Sequence, residues 1–147
     1  MKRTRLKICC VWLALGPWLW PSWALADSLW VVVHPSNPVR GLTPQELAAL
    51  YMGRTHSFST GEFALVFDYP RDSALRERFF MRVANMNLSQ VNTYWSRLMF
   101  AGQAMPPQTL PTPQAMADIV RRNPGAIGYV DSPPRDNSLR VVLELKD

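Results

Sequence analysis

Both cysteines of the 147-residue chain, Cys9 and Cys10, fall within its first ten residues. Everything downstream must therefore fold without disulfides or cysteine metal sites, on a hydrophobic core alone. The same opening stretch is basic at Lys2, Arg3, Arg5 and Lys7 and apolar from Ile8 to Trp20. It closes on Ala24-Leu25-Ala26, the small-x-small pattern of a secretory cleavage site. Pro17 and Pro21 interrupt the apolar run, which is shorter than the ~20 residues needed to cross a bilayer. The expectation is a cleaved signal peptide over residues 1–26 and a periplasmic protein over 27–147, a single domain long enough to bury a core.

The net charge of +5 comes largely from that leader. Without it, 12 Lys+Arg face 11 Asp+Glu. Eleven of those twelve are Arg, but so even a balance gives little of the field that phosphate backbones require, and nucleic acid is not an expected partner.

The apolar pattern changes period along the chain. Leu29-Trp30-Val31-Val32-Val33-His34 is continuous and β-branched, which predicts a strand buried on both faces. Thr43-Pro44-Gln45-Glu46 is a capping box with proline at the first helical position, followed by Leu47, Leu50 and Tyr51 on one face and a stop at Gly53. Phe63 to Phe67 predicts a second buried strand. A helix near Ser73 carries Leu75, Phe79, Phe80 and Val83 inward, and a third places Val91, Tyr94, Trp95, Leu98 and Met99 on one stripe before Ala101-Gly102. Pro106, Pro107, Pro111 and Pro113 keep the next stretch extended until Thr112-Pro113 starts a fourth helix, with Met116, Ile119 and Val120 inward. Ala126-Ile127-Gly128-Tyr129-Val130 predicts a short strand, and Leu139 to Leu145 an edge strand. Strands alternating with helices predict an α/β layered domain. The stripe positions Tyr94, Trp95, Met99 and Met116 are expected in the core.

Little of this sequence suggests catalysis. His34 and His56 lack metal-ligand spacing, and no cofactor is expected. His56, Asp68 and Ser73 could be written as a triad, but Ser73 sits in Arg71-Asp72-Ser73-Ala74-Leu75 without the flanking glycines of a nucleophile elbow. The expectation is a protein that is not an enzyme. The most suggestive stretch is the junction from Asp68 to Arg76, where a buried strand leads directly into a helix. Free N–H groups, the Ser73 hydroxyl and the Arg71 or Arg76 guanidinium would together suit an anion. Equally, Asp72 or Ser73 could satisfy those donors as a cap, and Asp72 would repel an anion.

In order, Val31-Val32-Val33, Leu42 to Leu47, Tyr51-Met52-Gly53-Arg54, Ser73 to Phe79 and Asn123 to Val130 resemble the second lobe of the phosphate-type solute-binding proteins of ABC transporters. The stretch Tyr94 to Gly102 followed by Pro106-Pro107 resembles short single-lobe relatives of these proteins. The resemblance implies a three-layer α/β/α single lobe of the type 2 periplasmic-binding-protein-like fold. It further implies ligand contacts at Ser73 and at the helix start Ala74-Leu75; it does not extend to the arginines, so Arg71 and Arg76 are candidate cations of the junction from the residues alone. Ala74 and Leu75 replace the glycine and threonine of that family's Ser-Gly-Thr, and Tyr69 stands at its arginine position. The implied partners are inorganic phosphate or another oxyanion, a membrane transporter or sensor protein, and a second copy of the chain as the missing wall of the cleft. The rival expectation is an interaction or sensory module that reuses the lobe to dock on an envelope protein without capturing a ligand.

Overall fold

The computed structural model describes residues 27–146. The expected signal peptide lies outside them. Strand β1, Leu29–Val33, is the continuous β-branched run, and its valines are wholly buried. It pairs antiparallel with β4, Ala126–Val130, on one side and with the edge strand β5, Arg140–Leu145, on the other. Strand β2, Leu65–Asp68, runs parallel to β4 and to a two-residue strand β3, Gln108–Thr109. The sheet order is β3-β2-β4-β1-β5.

Four helices cover the sheet: α1 (Pro44–Tyr51), α2 (Ala74–Ala84), α3 (Leu88–Phe100) and α4 (Pro113–Arg122). Their starts are where capping chemistry puts them. Thr43 and Glu46 complete a capping box on α1, Asn87 and Gln90 do so on α3, and Thr112 caps α4 ahead of Pro113.

Neighbouring residues of β4 show how the layers form. A Cβ at Gly128 would strike the Met116 side chain, so α4 lies close against that face. Tyr129 points to the other face, stacked on Phe79 of α2 with ring centroids 3.9 Å apart and in edge contact with Tyr51 of α1. Helices on both sides of one sheet make the three-layer α/β/α arrangement that the resemblance implied.

Three expectations need correction. The second strand starts later than predicted: Phe63 makes only an isolated bridge to Ser57 and is 64% exposed. The stretch before Thr112 is not merely extended, because Gln108–Thr109 adds to the sheet edge and Leu110 N–H donates to Asp68 O at 2.9 Å. Met99 is 47% exposed, because the last turn of α3 runs past the layer that buries Val91 and Trp95.

Candidate anion site at the β2–α2 junction

Strand β2 delivers Asp68 into the interior at its carboxyl end, where α/β folds place their ligands. A buried carboxylate needs partners. Asp68 Oδ2 receives Arg76 Nε–H at 2.7 Å, while Oδ1 receives the Tyr129 hydroxyl at 2.6 Å and the Tyr69 amide at 2.8 Å. Arg76 is itself only 4% exposed, and it also donates from Nη1 to Asn92 Oδ1 at 2.7 Å and lies over the Phe80 ring. Burial pushes the Asp68 carboxyl up from its ordinary value, against the opposing pull of Arg76, Tyr129 and the Tyr69 amide. Burial likewise raises the phenols of Tyr129 and Tyr69, which therefore stay protonated donors: Tyr129 to Asp68, and Tyr69 to Tyr129 O.

Arg76 therefore has a different role from the expected one. The sequence suggested a guanidinium offered to an anion; instead its charge is answered by Asp68 inside the fold. Position 76 is one helical turn past the cap and faces inward, and its partner stands eight residues earlier on a strand.

The other expected residues lie at the surface of the same junction. Ser73, not Asp72, is the cap of α2: its hydroxyl accepts Arg76 N–H at 3.5 Å. The amides of Ala74 and Leu75 donate to no acceptor among the described residues, so two N–H groups at the positive end of the α2 dipole remain open. Arg71 is exposed and forms no ion pair among the described residues, while its carbonyl accepts Asn92 Nδ2–H at 3.3 Å. Asp72 is exposed beside it.

Beside this junction, between α3 and the β2–β3 edge, is a cavity of about 610 Å³. Arg71 and Arg76 reach it from the junction; Trp95, Ser96 and Met99 line it from α3, and Pro106 to Thr109 from the edge. Ser73, Ala74 and Leu75 are outside this lining. Sequence periodicity assigned Trp95 and Met99 to the core and so missed the cavity. The one available signal was the pair Pro106-Pro107, which cannot continue a helix and forms the opposite wall. Among the described residues no group of His, Cys, Asp or Glu could hold a metal ion, and no helix is long and apolar enough to cross a membrane.

The sheet order and the helices on both of its faces form a three-layer α/β/α lobe with an open helix terminus at a strand's carboxyl end. Two solved structures share that fold. One, from Clostridium perfringens, is named as a putative phosphate ABC transporter substrate-binding protein with bound phosphate, and superposes with a TM-score of 0.63 and 21% identity over 79% of this chain. The other, from Vibrio cholerae, is named as an ABC-type phosphate transport receptor, with a TM-score of 0.62 and 21% identity over 79% of this chain. The chain spans only 44% and 46% of their lengths. No protein-family model matches the chain, and no curated protein matches it in sequence.

Proposed function

We propose that this chain is a non-enzymatic periplasmic protein of the solute-binding type, made with a cleaved leader, that takes phosphate or a similar oxyanion weakly at the β2–α2 junction in connection with phosphate ABC transport. The observation that carries this reading is the open pair of amides at Ala74 and Leu75 beside Arg71, which has no ion-pair partner among the described residues, in the fold of proteins named for phosphate transport. Weak binding follows from the energetics. A helix terminus adds ~0.3–2 kcal/mol and a charge-assisted hydrogen bond ~1.5–3 kcal/mol, against an association cost of ~4 kcal/mol or more. Three such bonds, from the two amides and Arg71, leave a few kcal/mol after that cost and the repulsion of Asp72, which corresponds to affinity in the millimolar range.

Isothermal titration with phosphate and then sulfate tests this reading. Ala74→Pro removes one of the two proposed donors at a position where proline suits a helix start, and Ser73 before it already has the extended backbone that a following proline requires (φ −69°, ψ 130°). Saturable heat in the wild type, weakened by Ala74→Pro and by Arg71→Ala, is the expected result. Absence of heat at about 10 mM ligand would remove the capture reading.

A second reading draws on one observation. Phe100, the last residue of α3, is 94% exposed and Met105, five residues further on, is 76% exposed, and apolar side chains so exposed suit docking on an envelope protein. Substituting both with serine would weaken such docking and leave oxyanion binding intact.

A further inference from the structure

The cavity under α3 has a chemistry that a bare oxyanion does not use. Its volume, about 610 Å³, falls in the range of small-molecule sites and far exceeds the needs of a four-oxygen anion. Trp95, Met99, Pro106 and Pro107 give it apolar walls. Within its lining the charges do not balance: Asp68 answers Arg76, and Arg71 forms no ion pair among the described residues, its neighbour Asp72 standing outside the lining. Trp95 supplies an independent observation. The residue is 4% exposed, and its indole Nε1–H is buried and donates to no acceptor among the described residues. Trp95 is also held in place, since the benzo rim of its ring sits where a Cβ on Gly53 would be, 2.9 Å from that position, and Gly53 has φ +66°. A rigid aromatic wall next to a single unpaired cation of the lining suits a ligand with one negative charge and a flat apolar body.

We propose that this cavity binds a small organic carboxylate with an aromatic or branched apolar body, its carboxylate on Arg71 and its body between Trp95, Met99 and the Pro106-Pro107 wall. The charge count favours a monoanion over a dianion, because only one guanidinium of the lining lacks a counter-charge and the Asp68 carboxylate lies in the same lining. The inference shares Arg71 with the oxyanion reading above. Otherwise it stands on residues which that reading does not use.

Benzoate, acetate and inorganic phosphate are suitable probes, read by the ¹H–¹⁵N spectrum of the protein expressed from its full coding sequence. The Trp95 indole Nε1–H resonance is assigned by its loss in Trp95→Phe. Benzoate is expected to move that resonance saturably and to bind about tenfold or more tightly than acetate, the difference a buried ring makes. Arg71→Ala should weaken benzoate about tenfold. Met99→Glu, at a half-exposed position outside the core, should do the same by placing a like charge at the wall. An indole resonance unmoved at about 10 mM benzoate, or equal affinity for benzoate and acetate, overturns the inference. If phosphate moves the Ala74 and Leu75 amides while benzoate leaves Trp95 unmoved, the oxyanion reading stands and this one fails. Benzoate at Trp95 with no phosphate response at those amides upholds the carboxylate site and removes the oxyanion reading.

Discussion

Asp68 and Arg76 form a buried ion pair whose remaining hydrogen-bonding capacity is met by Tyr129, the Tyr69 amide and Asn92. Removing one member leaves the other charged, desolvated and unpaired, which costs about 3–5 kcal/mol. Arg76→Met should therefore lower stability in urea by about that amount. Asp68→Asn combined with Arg76→Met should recover much of the loss, because the asparagine side chain is neutral and its oxygen could still accept from Tyr69 and Tyr129. A double variant no more stable than Arg76→Met would show that Arg76 acts by packing on Phe80 rather than by pairing. The sequence showed Arg76 only as a cation near a helix start. Its inward turn depends on a carboxylate delivered by β2, a tertiary partner that helical spacing alone does not disclose.

Helix starts are the most legible elements because their signals are local. Thr43 and Glu46 illustrate the physics: the Thr43 amide and hydroxyl donate to Glu46 Oε2 at 2.8 Å and 3.0 Å. These bonds hold the Glu46 carboxyl below its ordinary value. Since the folded state prefers the carboxylate, the stability it adds is present above the ordinary carboxylate range and is lost as pH falls through the lowered value. Thr43→Ala should cost about 1 kcal/mol in urea denaturation at neutral pH, and the gap from wild type should narrow in acid. An unchanged gap would mean that the bond from the Thr43 hydroxyl to Glu46 contributes nothing, since the amide of position 43 still donates to Glu46 in the variant. Strand β1 was legible for a similar reason, as a run of β-branched residues too apolar for any edge. Strand β3 was not, because two residues flanked by prolines carry no period and their pairing to Phe67 and Asp68 is set by the tertiary fold. Met99 shows a further limit: it shares the apolar stripe of Val91 and Trp95, but a stripe does not tell where the layer beneath it ends.

At the scale of the molecule, the α/β/α lobe shares its fold with two solved structures and spans 44% and 46% of their lengths. The lobe has the β2–α2 junction with its open amides and the uncompensated Arg71, but the wall that would close over them is not among the described residues. Under the proposed reading, an open junction of this kind makes shallow, rapidly exchanging contact with a small anion. Of this site, the helix terminus and Arg71 were legible in the sequence, whereas the cavity beside them was not, since its walls come from segments that only the fold brings together. The most direct test is residue-resolved: a phosphate titration followed by ¹H–¹⁵N spectra. The account predicts saturable shifts centred on the Ala74 and Leu75 amides and reduced in Arg71→Ala. Shifts centred elsewhere on the lobe, or none at those two amides, would contradict it.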